Sequence, residues 1–221
     1  RGMPSPTENE WVVASPIVVI GKVAHRHNLD WEKTITDCGL SPDECSDPDA
    51  HLAIRPVLAL FDSVVASLGN DAIIFDIFDQ APVGFGSVFD YVFLCSASLG
   101  EGLSNWARFY PTRSDCINIE YSETPQQGIL ELSISDHFGP QAQIAYSFMA
   151  YLAGRIERAM ADPPLSFTIE ISAKQPKATS DFQARYGDQL RFDAASNRIL
   201  VSAKDLQRVP SNADPSLFRI V

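Results

Sequence analysis

Positive charge is scarce in this 221-residue sequence, where 17 lysines and arginines face 28 aspartates and glutamates, a net charge of −11 at pH 7. Gripping a nucleic-acid backbone takes a basic face that displaces counterions, so these residues are not expected to hold DNA or RNA themselves. Long apolar runs are missing too. A membrane-spanning helix needs about 20 consecutive apolar residues, and Ile17–Ile20, after Pro16, makes only a single turn. The start, Arg1-Gly2-Met3-Pro4, carries no secretory pattern. Cysteine and histidine are sparse: Cys38, Cys45, Cys95 and Cys116 form no CxxC pair and no cluster with zinc spacing. They read as reduced thiols packed as small hydrophobes, in keeping with a cytoplasmic protein. His25 and His27, two apart, point to different faces of a helix, and His51 and His137 fall in expected loops. No metal and no cofactor is expected.

Catalytic signatures are absent as well. The sequence has no GxSxG, no P-loop, no HExxH and no complete dinucleotide-binding glycine motif. Gly84-Phe85-Gly86 lacks a third glycine and a preceding strand. Asp47 with Asp49, and Asp76 with Asp79, read as solvated charge, since nothing in the sequence buries them. An enzyme is not expected.

What is present is a hydrophobic content of 45%, enough for a sizeable core. The first part is patterned for helices. Ser15 suits an N-cap and Pro16 the position after it, ahead of Ile17, Ile20 and Val23. Asp30 caps a second helix that Gly39 stops, residues 41–49 read as turns, and Pro56 opens a third. The third helix carries the stripe Val57, Leu60, Phe61, Val64, Val65 and Leu68, ended by Gly69. Asp71 is placed as the cap of a fourth, Val88–Cys95 forms a fifth, and Ser98 with Glu101 reads as a capping box for a sixth that runs to Pro111.

The period then shortens to two. Ile117, Ile119 and Tyr121, then Leu130, Leu132 and Ile134, alternate with polar residues as an antiparallel hairpin. A long helix spans roughly 140–160, a strand covers Phe167–Ile171, and a short helix ends at Gly187. Leu190–Phe192 and Ile199–Val201 complete the pattern as a second hairpin. Helices followed by ββαβαββ imply an α+β fold with an antiparallel or mixed sheet. Residues 1–11 read as a disordered tail or an expression remnant. Residues 12–221 read as one unit, helical over 12–113 and sheet-containing over 114–210.

Candidate binding residues come from aromatic side chains with a polar handle. Phe148, Tyr151 and Arg155 share one stripe of the long helix, and an arginine among aromatics stacks on a ring or forks onto a carboxylate or phosphate. The same spacing fits an arginine paired with an acid or snorkelling to solvent. Trp106 and Tyr110, one turn apart, serve as core filler or pocket wall. Tyr91, expected to be buried, needs a partner for its hydroxyl.

Three stretches together carry a resemblance. The first is His27-Asn28-Leu29-Asp30 through Cys38-Gly39-Leu40-Ser41-Pro42, Asp47-Pro48-Asp49 and Ile54-Arg55-Pro56. The second is Gly84-Phe85-Gly86 through Asp90-Tyr91, then Ser98-Leu99-Gly100-Glu101-Gly102-Leu103 and Arg108-Phe109-Tyr110. The third runs from Phe167-Thr168-Ile169-Glu170-Ile171 through Phe182, Tyr186-Gly187, Leu190, Phe192 and Asn197 to Ala213-Asp214-Pro215-Ser216-Leu217. In order and spacing they resemble the N-terminal, arabinose-binding-type effector domain of AraC/XylS transcriptional regulators, over roughly residues 12–220. Gly69-Asn70-Asp71-Ala72 departs from the family's Gly-Asp-Pro, Ser98 from its threonine and Gly102 from its alanine. The resemblance implies a bacterial ligand-sensing and dimerising region, acting as a homodimer on a small-molecule effector. It also implies DNA contact only through paired helix-turn-helix motifs, expected beyond Leu217. A dimerisation module with a filled core is the alternative.

Overall fold

The computed structural model describes residues 10–86, 88–211 and 213. The expectations placed on residues 1–9 and 214–221 lie outside them. Mixed α+β architecture is what the chain adopts, with helices mainly in the first part and the larger sheet in the second.

The first part holds β1 (Trp11–Val13), α1 (Ser15–Arg26), α2 (Trp31–Asp37), α3 (Pro42–Ser46), β2 (His51–Ala53), α4 (Ile54–Leu68), α5 (Ile73–Asp79), α6 (Val88–Leu94) and α7 (Leu99–Phe109). On α4 the expected stripe forms: Val57, Leu60, Phe61 and Val64 are buried, Val65 and Leu68 half-buried, and Gly69 closes the helix at φ 62°. Asp30 caps α2 by accepting from the Lys33 N–H at 3.1 Å.

Several local expectations are corrected. The β1–β2 ribbon stands where none was read; strands of three residues leave too little alternation to see. Trp11 therefore belongs to the fold, and His51 is a strand residue stacked on it at 3.7 Å. Residues 42–46 make a short helix rather than turns. Ser15 does not cap α1: Ala14 occupies that position, and the Ser15 hydroxyl accepts from Arg113 Nη2 at 2.9 Å. Ser98 accepts from the Glu101 N–H, but Glu101 reaches back to Ala97 N rather than to the cap itself.

Asp71 is not the cap of α5 either; Ala72 holds that place. The Asp71 carboxylate instead accepts from Lys177 N and Ala178 N, both at 2.8 Å, tying α5 to a segment more than a hundred residues away. Those two N–H groups hold its pKa below the ordinary 3.8. A depressed folded value means the tie contributes stability above pH 3.8 that is lost as pH falls through the folded pKa. Asp71→Asn is therefore expected to destabilise the chain by about 1 kcal/mol at pH 7, a low figure because the site is open to solvent. Urea midpoints at pH 7 and pH 3 check this, the difference between variant and parent shrinking at the lower pH.

The second part holds β3 (Ile117–Glu123), β4 (Gln127–Ile134), α8 (Ala142–Ala159), β5 (Phe167–Glu170), α9 (Asp181–Tyr186), β6 (Leu190–Arg191) and β7 (Asn197–Ser202). The hairpin pairs Ile117 with Ile134, Ile119 with Leu132 and Tyr121 with Leu130, so one face is apolar. Strand order is β3-β4-β7-β5-β6, and this overturns the second hairpin. β5 lies between the two strands, antiparallel to β7 and parallel to β6. The crossover through α9 brings β6 in parallel, as a helical connection does. After β6, Asp193 N and Ala194 N bond to Ala173 O and Ile171 O, so the chain crosses the end of β5 before turning into β7.

Helices α7 and α8 pack on the inner face of this sheet, and α4 and α5 pack on α8. The outer face carries a row of charge, in which Glu131 stands opposite Arg198 and Arg198 opposite Glu170. Arg198 binds Glu170 Oε2 through Nε at 2.9 Å and Nη2 at 2.6 Å. Among the described residues no single helix is long and apolar enough to cross a membrane.

Candidate ligand cavity

Pro111 shapes the first corner of the site. Lacking an N–H, it cannot extend α7, and the chain tightens into a 3₁₀ turn, Tyr110–Thr112, closed by Arg113 N donating to Tyr110 O at 2.7 Å. Side chains three apart eclipse in such a turn, which puts Tyr110 and Arg113 on one side. The Arg113 carbonyl accepts from Val13 N at 2.9 Å, fastening β1 to the turn. Its guanidinium reaches Ser15 Oγ through Nη2 and Asp49 Oδ1, at 3.1 Å, through Nη1.

These groups edge a cavity of about 50 Å³. Val12, Val13 and Pro16 close it on the β1–α1 side, and Ile54, Val57 and Phe61 on α4, with Phe78 on α5 beside them, on another. Phe89 of α6, Ile117 of β3 and the α8 residues Ile144, Ser147, Phe148 and Tyr151 complete it, with Phe85 and Gly86 from the loop before α6. Both parts of the chain contribute. Phe148 meets Tyr110 edge-on at 5.4 Å, and Phe85 meets Tyr151 edge-on at 5.2 Å. Among the described residues no carboxylate lines the cavity.

Behind the Phe85 loop lies a buried ion pair. Asp90 and Arg155 are both wholly buried, with Arg155 Nε at 2.8 Å from Asp90 Oδ1. The same carboxylate accepts from the Tyr151 hydroxyl and from Gly84 N and Gly86 N. Arg155 also donates to Ala81 O at 2.9 Å and Pro82 O at 2.7 Å, and it lies 4.9 Å over the Tyr151 ring. Together they pin the loop 81–86 onto α8. Gly86 permits the approach, because a Cβ there would sit 3.0 Å from the Tyr151 oxygen. Burial, with the Asp90 charge beside it, pushes the Tyr151 hydroxyl well above its ordinary pKa.

Of the six candidate residues, Tyr110, Phe148 and Tyr151 line the cavity. Arg155 sits one turn beyond, committed to Asp90 and the loop carbonyls. Trp106, at 0% exposure, stacks on Phe93 at 4.0 Å and donates from Nε1 to Phe89 O, so it packs against a lining residue without lining the cavity itself. Tyr91, expected to be buried, is 37% exposed. Its neighbour Asp90 takes the inward position to meet Arg155, which turns the next residue on the helix outward.

Two residues escaped the sequence reading. Asp90 could have been found as the lone charge in the apolar run Val88–Leu94. Arg113 carried a weaker signal, its spacing of three from Tyr110 across a proline; its partners Ser15 and Asp49 are distant in sequence.

Residues 29–209 match the family described as the arabinose-binding domain of AraC transcription regulators, N-terminal. The chain belongs to this family. Among solved structures it is similar to the transcriptional regulator CdpR from Pseudomonas aeruginosa, with a TM-score of 0.56 and 12% sequence identity over 99% of this chain. At that identity the likeness shows the fold alone. The chain spans 62% of the length of the CdpR chain. No curated protein sequence matches it. As a member of the AraC N-terminal family, this chain is a regulatory domain.

Proposed function

We propose that this AraC-type domain senses a small molecule held in the cavity between α4, α8 and the Tyr110–Arg113 turn, and passes its occupancy to a homodimer. DNA contact is assigned to a helix-turn-helix segment of the same regulator, in keeping with the charge of −11 carried here. The reading places the protein in the cytoplasm and gives it no catalytic role. The observation that supports it is the cavity itself, apolar throughout its body and edged by the Arg113 guanidinium. A compound that binds one arrangement of these walls better than another shifts the population by that difference in affinity. The natural sensor of such a shift is the Phe85 loop, which belongs to the cavity wall and is fastened to α8.

A volume of about 50 Å³ also suits the rival reading, a filled core that only dimerises. Ser147→Leu separates the two. Ser147 is buried, lines the cavity and spends its hydroxyl on Ile144 O within its own helix, so leucine fills the space with little loss. In a thermal-unfolding screen of small organic metabolites, compounds that raise the Tm of the parent chain are expected to leave Ser147→Leu unshifted. If no shift depends on Ser147, the cavity is not a sensor and the filled-core reading stands.

A further inference from the structure

We propose that the cavity takes a small monocarboxylic acid with an apolar body, its carboxylate held by Arg113 and the Tyr110 hydroxyl. This rests on the sensing reading and narrows it to a ligand class. Charge points that way first. Among the described residues the lining contains one cation and no carboxylate. Arginine has five N–H donors, and Arg113 commits one to Ser15 and one to Asp49. The Asp49 side chain is 63% exposed, so that ion pair is largely spent on water. Nε and one hydrogen on each terminal nitrogen remain for a ligand.

Tyr110 supplies a second donor at the same edge. It is 3% exposed, lines the cavity and forms no hydrogen bond from its hydroxyl to any described residue. A phenol hydroxyl with no protein partner at a cavity wall is open to an acceptor on a ligand. Burial keeps this phenol protonated, so it can donate to an acceptor in the cavity that Arg113 also lines. An acceptor-only group bearing negative charge satisfies both, and a carboxylate is that group.

The remainder of the cavity selects against a sugar. Around Val57, Phe61, Phe78 and Phe89 there are only hydrocarbon walls. Each hydroxyl of a pentose placed there would lose its water partner and gain none. A short alkyl chain gains from the same walls. Size restricts the body further, since a cavity that binds benzene measures about 150 Å³. At about 50 Å³ the space admits a short alkyl chain and not a ring.

Calorimetric titration of the 221-residue chain with propionate and butyrate, against propionamide, butyramide and L-arabinose, tests the assignment. The acids are expected to bind at least about tenfold more tightly than their amides. Arg113→Met should remove that preference, weakening the acids at least about tenfold more than their amides. Tyr110→Phe, which keeps the ring packing, should weaken acid binding about fivefold. Amides binding as well as acids, arabinose binding in their place, or no heat with either acid would overturn the ligand class. Metabolite shifts abolished by Ser147→Leu would in that case leave the sensing reading standing, whereas their absence would remove both.

Discussion

Replacing Arg155 with methionine is expected to lower the unfolding free energy by about 3–5 kcal/mol in urea denaturation at pH 7. Both partners of the Arg155–Asp90 pair have 0% side-chain exposure. Removing the guanidinium leaves the carboxylate in the core with only the Tyr151 hydroxyl and two glycine N–H groups. It also strips the side-chain donor from Ala81 O and one of two donors from Pro82 O, which keeps Phe85 N. A domain is typically stable by about 5–15 kcal/mol, so the variant would retain a small part of its margin. Asp90→Asn should cost a similar amount, because it strands a guanidinium instead. The double variant Arg155→Met with Asp90→Leu should recover part of the sum, as a buried pair exchanged for apolar side chains often does. Amide exchange at Gly84 and Gly86 should quicken in each single variant, since Asp90 holds both N–H groups. A cost under about 1 kcal/mol for Arg155→Met, with exchange unchanged, would show that the loop 81–86 is held by other contacts.

Much of this fold was legible because the patterns that encode it are local. The α4 stripe and the β3–β4 hairpin each hide one face and wet the other over enough residues to fix a period. Where the reading failed, the cause was distance along the chain. β6 and β7 are near in sequence but belong to different partners, because β5 arrived first between them. The Asp71 side chain, placed like a cap, is worth more to two N–H groups at 177 and 178. The cavity follows the same rule. Aromatic residues on α8 and at the end of α7 announced a possible wall, and Tyr110, Phe148 and Tyr151 stand in it. The polar groups were harder to assign. An arginine among aromatics drew attention to Arg155, yet the acid that binds it, Asp90, sits 65 residues away. Arg113, which edges the cavity, is placed by a proline-forced turn and by partners from two other segments.

Trp106→Ala is expected to cost about 3–5 kcal/mol by the loss of a large buried ring and the space it leaves. The indole lies flat on Phe93, 4.0 Å between centroids and 16° between planes, and is 5.9 Å from Phe89. Its Nε1 is the donor to Phe89 O, 3.1 Å away, so truncation also removes a buried hydrogen bond between α7 and α6. Trp106→Phe isolates that part: it keeps most of the packing and should cost about 1 kcal/mol through the lost hydrogen bond. Gly102 marks how little slack exists here, since a Cβ on it would fall 2.6 Å from Phe93 Cδ2. Neighbours this tightly set cannot collapse into the vacated volume, and an apolar void of that kind stays dry and takes up apolar guests. Indole added to Trp106→Ala should therefore raise its urea midpoint, while the parent chain, whose ring still fills the place, gains nothing at that position. Rescue would show that Trp106 acts on the cavity only through Phe89, as a packing support for one wall. A Trp106→Ala chain that keeps its parent midpoint would instead mean that the α6–α7 contact tolerates repacking, and that Phe89 is fixed by the Asp90–Arg155 pair next to it.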